Sequence, residues 1–155
     1  SAAIVRAQIG EIDRRVRDGR AGHDRVAARL NASPWLEVPP PLGPELRAPD
    51  SIQFNLVSLS DAEVDAFTAT AEAGGVKVQV FGRSEDNARA FWNWRFIGGD
   101  EASAPADLPQ TRAMLMRACD VRLPARLTAD ELDFIADTLV GAAAQATVRP
   151  RAYGT

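Results

Sequence analysis

The 155-residue chain is long enough for one domain with its own hydrophobic core, and its content of 46% hydrophobic and 25% charged residues is typical of a soluble globular protein. The net charge of −3 gives no basis for binding nucleic acid or an anionic membrane, and no apolar run approaches the roughly 20 residues that span a bilayer. The single cysteine, Cys119, cannot form an internal disulfide, which indicates a reducing, cytoplasmic location.

The N-terminal region is predicted to form a long linking helix over residues 1–32. Two glycines, Gly19 and Gly22, predict a bend or break in it, because each lowers helix stability by roughly 1 kcal/mol relative to alanine. The chain starts on apolar helical residues with no N-cap ahead of them, which favours a start inside an element. The apolar stripe recurs at alternating steps of four and three: Val5, Ile9, Ile12, Val16, Gly19, His23, Val26 and Leu30.

A proline-rich connection follows, from Pro34 to Pro49, and its missing amide donors predict an extended chain. Two capping boxes then predict helix starts, one at Ser60 and one at Thr128, each with a glutamate three residues later. Alternating or short apolar runs predict three strands, and helical periodicity predicts two further helices between them. The predicted strands cover residues 51–59, 76–81 and 121–123, and the further helices cover 85–96 and 108–118.

These elements predict an α+β fold in a single domain spanning residues 1–155. A three-stranded antiparallel sheet is expected to carry helices 61–73 and 128–145 on one face, with the long N-terminal helix ahead of it. A polar loop is expected at 98–106, and residues 147–155 are expected to form a loose tail.

Single reactive side chains give little support for catalysis. His23 lies on the apolar stripe and is interpreted as a packed structural histidine, because a catalytic base also needs an orienting partner. Cys119 precedes Asp120, which disfavours a thiolate, so a buried structural cysteine is predicted. Lys77 is the only lysine, and we expect it to face solvent or a partner domain, since the valines on the other face of its strand should face the core. No glycine-rich phosphate loop, CxxC or HExxH motif occurs, and no metal site is predicted.

The most unusual stretch is FGRSEDNARAFWNWRFI, residues 81–97, which places three arginines among five aromatic residues. Arginine can bind carboxylate or phosphate through two N–H groups and can also stack on aromatic rings. The stretch therefore forms either an anion or sugar contact at the mouth of a cleft, or an aromatic cluster covered by arginine side chains. In the first case Arg83, Asn93 and Arg95 are the polar groups expected to contact the substrate.

Several stretches together resemble the C-terminal small domain of DegT/StrS-type sugar aminotransferases. AAIVRAQIGEIDRRV is similar to the helix that follows the cofactor-lysine region in that family. FGRSEDNARAFWNWRFI followed by LPQTRAMLMRACDVRLPARLTADELDFIADTL is similar to the family's C-terminal end, and DVRLPARLTADEL is its most characteristic part. The resemblance covers nearly the whole chain in order.

This resemblance implies a fold-type-I homodimer that uses pyridoxal phosphate (PLP) to transfer an amino group from glutamate or glutamine to a keto sugar or related acceptor. It also implies that the cofactor lysine, the aspartate under the pyridine nitrogen and most phosphate contacts lie in a large domain preceding Ser1. This chain alone is therefore expected to hold no catalytic or cofactor-binding residue and to be inactive. The family's His-Tyr pair is replaced by Phe81 and its neighbours, which predicts that Arg83 and the tryptophans contact something other than a nucleotide sugar.

Two alternatives stay open at the level of sequence. One is a non-enzymatic ligand-sensing or protein-interaction module, because a three-stranded α+β layer with an open face is also common in regulatory domains. The other is a domain of this family kept as a structural partner for another chain. A free-standing module should cover the apolar stripe of its first helix, whereas part of a larger enzyme should leave it facing a missing large domain or a homodimer mate.

Overall fold

A computed structural model describes residues 6, 9–43, 48–85, 87–94 and 108–148 of the chain. Within these ranges, four α-helices have both ends defined and four strands form one antiparallel sheet in the order β1-β2-β4-β3. The helices are α1 (Ile12–Leu30), α2 (Asp61–Ala73), α3 (Pro109–Leu115) and α4 (Ala129–Thr147), and the strands are β1 (Leu36–Glu37), β2 (Ser51–Leu56), β3 (Gln79–Val80) and β4 (Ala118–Arg122). The α+β class and the antiparallel pairing are confirmed, but the predicted number of three strands is wrong.

The additional strand, β1, lies at the end of the sheet beside β2. Leu36 pairs with Leu56, so the chain forms a short strand within the proline-rich connection, just after Pro34. β2 itself ends at Leu56 rather than at residue 59, and Ser58 takes a φ of 60°, a left-handed conformation that does not continue a strand. Two-residue strands such as β1 carry no alternation that a sequence pattern can reveal.

The other two predicted strands also have different bounds. β3 is confined to Gln79–Val80 instead of 76–81, so the predicted strand around Lys77 is wrong. β4 runs from Ala118 to Arg122 instead of 121–123, because the predicted helix 108–118 ends at Leu115. Cys119 pairs with Phe54 across the sheet, and this tertiary contact overrides the local helical tendency of the preceding residues.

The first helix is continuous through both of its central glycines, so it does not break there. Arg6 and Ile9 are helical, a turn occupies residues 10 and 11, and α1 then runs unbroken to Leu30. A Cβ atom on Gly22 would lie 3.3 Å from Cδ1 of Leu132 in α4. The glycine therefore allows α1 to pack closely against α4 at this point.

Both predicted capping boxes are present. At α2, the Ser60 amide donates to Oε2 of Glu63 at 2.7 Å, and the Glu63 amide donates to Oγ of Ser60 at 3.4 Å. At α4, the Thr128 amide donates to Oε2 of Glu131 at 2.7 Å, and the reciprocal bond measures 3.3 Å. These two helices start where the sequence places them because the N-cap bonds depend only on residues three apart.

A single core lies between one face of the sheet and the three long helices. Phe54 of β2 meets Phe67 of α2 edge to face, with ring centroids 6.3 Å apart. The opposite face of the sheet is polar, so the helices cover one face only, as predicted. The core side chains from the sheet and helices include Val26, Leu30, Ile52, Phe54, Leu56, Val64, Phe67, Val80, Cys119, Val121, Leu132, Ala136 and Leu139. The polar face carries Ser51, Gln53, Asn55, Gln79, Asp120 and Arg122.

Candidate functional site

Residues 81–94, called here the arginine–aromatic segment, follow β3 and do not form the predicted helix 85–96. They contain two 3-10 turns, Phe81–Arg83 and Phe91–Asn93, joined by tight turns. Asparagine side chains bond to the nearby backbone here: Oδ1 of Asn87 accepts from the Arg89 amide at 2.9 Å. Such local bonds compete with helical ones, which explains why the helix does not form.

Asn93, one of the predicted substrate contacts, fixes the fold of this segment. Its Nδ2 donates to the carbonyl oxygen of Ser84 at 2.9 Å and to that of Asn87 at 3.0 Å. The side chain is half-buried, and both bonds run to backbone groups of the same segment. The structure therefore gives Asn93 a structural role in shaping the segment.

Arg83, a second predicted contact, connects the arginine–aromatic segment to the start of α2. Its Nη1 donates to Oδ1 of Asp65, and its Nη2 donates to the backbone carbonyl and to Oδ1 of Asp61, both at 3.2 Å. Asp61 also accepts from Nη2 of Arg117 at 3.2 Å, so one carboxylate joins two arginines. Nε of Arg83 is buried without a hydrogen-bond partner in the described part of the chain. Arg95, the third predicted contact, lies outside the described residues.

Two other arginines in this region stack on aromatic rings. The guanidinium of Arg89 lies 4.4 Å from the centroid of Phe81, and that of Arg112 lies 4.2 Å from the centroid of Trp92. Phe91 stands nearly perpendicular to Trp92, with centroids 5.0 Å apart and an angle of 80° between the rings. Sequence reasoning missed Arg112 because it belongs to α3, and nothing in the sequence shows that α3 packs beside this segment.

Gly82 allows the arginine–aromatic segment to pack closely against the end of α3. A Cβ atom at Gly82 would lie 2.8 Å from the amide nitrogen of Met116 and 2.9 Å from the carbonyl carbon of Leu115. The backbone of the first 3-10 turn can therefore approach the end of α3 only because position 82 has no side chain. This contact brings Arg112 of α3 close to the aromatic residues of the segment.

An open groove of about 840 Å³ runs along the free edge of β3. Lys77 lies on its wall and is exposed, as predicted, although it stands outside a strand. Arg83 also lines the groove. The residue predicted to contact the substrate therefore lies beside a cavity large enough to hold a ligand. The other lining groups that carry charge are Asp65, Asp120 and Arg122.

Asp120 is a buried acid on the polar face of the sheet. Its side chain is 8% exposed, and its Oδ1 accepts a hydrogen bond of 2.8 Å from Oγ of Ser51. Nη1 of Arg89 lies 3.7 Å from the same oxygen, a distance that gives attraction without a hydrogen bond. Asp120 therefore links the sheet to the arginine–aromatic segment.

Cys119, the neighbour of Asp120, points to the opposite face and is fully buried, as predicted. Burial raises the pKa of its thiol to about 12; the positive charge of Arg83 opposes this shift, and the negative charge of Asp120 adds to it. A thiol in this state does not act as a nucleophile at neutral pH. The cysteine is therefore part of the core.

His23 is largely buried beside the proline-rich connection, in agreement with its interpretation as a structural residue. Its side chain is 13% exposed, and Nδ1 lies 3.4 Å from Oδ1 of Asp24. It lines two depressions whose walls include Pro39, Pro40 and Pro49. In the described ranges, no three potential metal ligands come together.

The described residues do not fit a PLP site. Such a site needs a lysine for the cofactor aldehyde, an acid facing the pyridine nitrogen, and donors for the phosphate. Lys77 is the only lysine and stands exposed at the open edge of the sheet. The two acids of the same groove are already engaged, Asp65 by Arg83 and Asp120 by Ser51.

Comparison with solved structures identifies the fold. The chain superposes on the aminotransferase TlmJ from Streptoalloteichus hindustanus with a TM-score of 0.68 and 15% identity over 94% of its own length. This chain has the fold of part of an aminotransferase. A 3-amino-5-hydroxybenzoic acid (AHBA) synthase matches with a TM-score of 0.63 and 18% identity, also over 94% of the chain.

The aminotransferase-type fold accounts for only part of each of these proteins. The chain spans 36% of the length of TlmJ and 38% of the length of the AHBA synthase. No family model and no curated protein matches the sequence. None of the helices in the described ranges has the length and apolarity that crossing a membrane requires.

Proposed function

We propose that the chain is the C-terminal small domain of a PLP-dependent aminotransferase of the DegT/StrS type. The complete enzyme would be a cytoplasmic homodimer that transfers an amino group to a keto sugar or related acceptor. The observation that carries the proposal is the fold, which is shared with TlmJ at a TM-score of 0.68 over 94% of the chain. The sequence resemblance at DVRLPARLTADEL supports the same assignment from residue types rather than from backbone geometry.

The cofactor lysine and the acid beside the pyridine nitrogen would belong to a large domain outside this chain. PLP supplies an electron sink for the transfer of the amino group. The exposed position of Lys77 and the engagement of Asp65 and Asp120 by other side chains support this division of roles. The small domain would then contribute shape and polar contacts to the acceptor cleft.

Arg83, Asn93 and Arg95 are the proposed polar contacts of this domain with the acceptor. Arg83 lines the groove at the edge of β3, and its bonds to Asp61 and Asp65 hold it in a fixed orientation. Asn93 would act chiefly by fixing the shape of the segment that carries Arg83. A groove wall held in this way would present the same surface to each substrate molecule.

The N-terminal helix supports a large domain or a homodimer mate as a partner. Val26 and Leu30 of its apolar stripe are fully buried in the core, whereas Ile9 and Ile12 are 59% and 51% exposed. A free-standing sensing module would be expected to cover such residues, as the alternative hypothesis requires. The stripe therefore favours the enzyme-domain proposal over that alternative.

A direct test compares the 155-residue chain with and without the polypeptide encoded immediately upstream of Ser1. Each sample is incubated with one equivalent of PLP and an excess of L-glutamate, and formation of 2-oxoglutarate is measured; without an acceptor the reaction stops after the half-reaction in which the amino group of glutamate passes to the cofactor. We expect about one equivalent of 2-oxoglutarate only when the upstream polypeptide is present, because only that part would supply the cofactor lysine. In a parallel sample without L-glutamate, borohydride reduction and mass spectrometry should locate the pyridoxyl group on an upstream lysine.

Lys77→Arg is the matched control for this experiment, because it keeps the charge and removes the only amine side chain. We expect the variant to leave the 2-oxoglutarate formed by the combined sample unchanged. Formation of 2-oxoglutarate by the 155-residue chain alone that is abolished in Lys77→Arg would contradict the proposal. An upstream reading frame without a PLP-binding lysine would contradict it as well.

A further inference from the structure

A separate cavity of about 370 Å³ lies between the first half of α1 and the turn that precedes α4. Three arginines and one aspartate line it, together with two small or apolar residues of the turn. These residues are Arg14, Arg15, Asp18, Pro124, Ala125 and Arg126. The walls of the cavity therefore carry a net positive charge, although the net charge of the whole chain is −3.

Close packing holds the two sides of the cavity together. A Cβ atom on Gly19 would lie 3.8 Å from Cβ of Ala125, so the turn contacts the face of α1 that carries Gly19. Arg15 lies one helical turn earlier on that same face. The turn itself is closed by a backbone hydrogen bond of 3.0 Å across residues 124–127, and Arg126 lies within it. The backbone therefore places Arg15 and Arg126 on two sides of one cavity.

The three arginines differ in whether they already have an anionic partner. Arg14 is engaged, because its Nε donates to Oε2 of Glu11 at 2.8 Å and its Nη1 donates to Oδ2 of Asp18 at 3.1 Å. No carboxylate of the described residues forms an ion pair with Arg15 or Arg126. The only acid on the cavity wall is therefore bound to Arg14, and two further positive charges are left without a counter-ion in the described part of the chain.

Two glutamates lie within electrostatic range of these two arginines but are engaged elsewhere. Glu11 belongs to the ion pair described above, and Glu131 accepts from the Thr128 amide at 2.7 Å in the capping box of α4. Neither glutamate lines the cavity. An anion from solution can therefore approach the two unpaired arginines without displacing an existing ion pair.

We propose that this cavity binds the phosphate group of a small phosphorylated molecule, with Arg15 and Arg126 as its direct partners. A phosphate monoester at neutral pH carries a charge of about −1.5 to −2, which matches two unpaired arginines, and its oxygens fit the paired N–H groups of a guanidinium. A single carboxylate would neutralise only one of them. The proposal does not rest on the aminotransferase function, because it requires only the folded 155-residue chain.

The test is a titration of the isotope-labelled chain with methyl phosphate, followed in two-dimensional amide NMR spectra at about pH 7.5, where this ester is mostly a dianion. The ionic strength is kept constant with sodium chloride, so that general screening does not change. We expect saturable shifts of the amide resonances of Arg15, Ala125 and Arg126. Dimethyl phosphate, which carries one negative charge, is the matched ligand and should bind more weakly.

Neutral variants assign the binding to the two arginines. Arg15→Gln and Arg126→Gln should each weaken binding about tenfold, because each removes charge-assisted hydrogen bonds to the phosphate. Arg17→Gln is the matched control, since Arg17 is an exposed arginine of the same helix that does not line the cavity. It changes the net charge by the same amount and should bind methyl phosphate like the wild type.

Asp18 gives a prediction of the opposite sign. Asp18→Asn removes the acid from the cavity wall and releases Arg14, so methyl phosphate should bind roughly threefold more tightly. Asp13→Asn is its control, because Asp13 is an exposed acid of the same helix that does not line the cavity. The control should have a smaller effect, although it makes the whole chain less acidic by the same amount.

Three results would overturn the proposal. The first is a set of shifts that does not saturate, and the second is dimethyl phosphate binding as tightly as methyl phosphate. The third is an unchanged affinity in either Arg15→Gln or Arg126→Gln when circular dichroism shows that the variant is folded. Should either of these variants fail to fold, equal effects of Asp18→Asn and Asp13→Asn would overturn the proposal instead. None of these measurements involves PLP or an amino donor, so this proposal and the transamination proposal can fail separately.

Discussion

Gly19 of α1 lies against Pro49, so close that a Cβ atom at position 19 would stand 2.8 Å from the Pro49 carbonyl oxygen. The neighbour is a backbone atom, which cannot move aside as the end of a side chain can. The end of the proline-rich connection is therefore packed directly on the first helix. Glycine at this position is required by a tertiary contact, although the same glycine lowers the intrinsic stability of the helix.

We expect Gly19→Ala to lower the free energy of unfolding by about 1 kcal/mol. Overpacking against Pro49 should cost about 2 kcal/mol, and the better helix propensity of alanine offsets about 1 kcal/mol of it. Gly141→Ala in α4 is the matched control, because no atom of the described residues beyond its own turn of helix lies within 4 Å of its Cβ position. That variant should raise the free energy of unfolding by about 0.5–1 kcal/mol. Urea denaturation measures both, and equal stabilisation by the two substitutions would show that the contact at Pro49 is loose.

The pair formed by Arg25 and Asp133 predicts a pH dependence of stability. Hydrogen bonds from Arg25 hold the pKa of Asp133 at about 2, below its ordinary value of 3.8; desolvation opposes this shift, and a hydrogen bond from Arg29 adds to it. Because the pKa is lower in the folded protein than in the unfolded chain, the ionised carboxylate stabilises the fold above about pH 4. This contribution is lost as the pH falls toward about 2.

Asp133→Asn should therefore lower the Tm at neutral pH and lose this effect in acid. We expect the difference in Tm from the wild type to stay constant between about pH 5 and 8 and to shrink between about pH 4 and 2. Glu72→Gln is the control, because Glu72 is exposed and forms no ion pair within the described ranges. Differential scanning calorimetry across this range checks the prediction, and a Tm difference that persists at pH 2 would contradict it.

Elements that depend on neighbours in sequence could be predicted, and those that depend on distant contacts could not. The starts of α2 and α4 follow from the Ser60 and Thr128 capping boxes, in which all partners lie three residues apart. The burial of Cys119 was also predicted, from the acidic neighbour that disfavours a thiolate. The strand around Cys119 was not, because its pairing with Phe54 joins residues far apart in the chain.

The same distinction applies to the candidate site. An unusual density of arginines and aromatic residues marks the segment in the sequence, but composition does not show which arginine is paired. Arg83 turns out to be held by two aspartates of α2, and Arg112 reaches the segment from α3 through the close approach at Gly82. These relationships depend on how α2, α3 and the segment pack, which no local pattern encodes.

Asn93→Ala should loosen the arginine–aromatic segment without unfolding the domain. The substitution removes both bonds from Nδ2 to the carbonyl groups of Ser84 and Asn87, and each is expected to contribute about 1 kcal/mol. Faster hydrogen exchange should therefore be confined to the segment, because the core lies on the other face of the sheet. Mass spectrometry of peptic fragments measures the exchange. Gln53→Ala, an exposed site on the polar face of the sheet, is the control, and faster exchange throughout β2 and β4 in Asn93→Ala would show a wider structural role.

Cys119 should react with a thiol reagent only when the protein unfolds. The side chain is fully buried and its thiol has a pKa raised to about 12, so neither access nor ionisation favours direct attack on Ellman's reagent at pH 8. If reaction proceeds through the unfolded state, its rate follows the fraction of molecules that are unfolded.

Gly19→Ala distinguishes reaction through the unfolded state from direct reaction of the folded protein. The substitution lies far from Cys119 in sequence, and it changes the free energy of unfolding rather than the thiol. A loss of about 1 kcal/mol should speed the reaction about fivefold, and Gly141→Ala should slow it. Rapid stoichiometric labelling of the wild type, at a rate that neither variant changes, would instead place the thiol within direct reach of solvent.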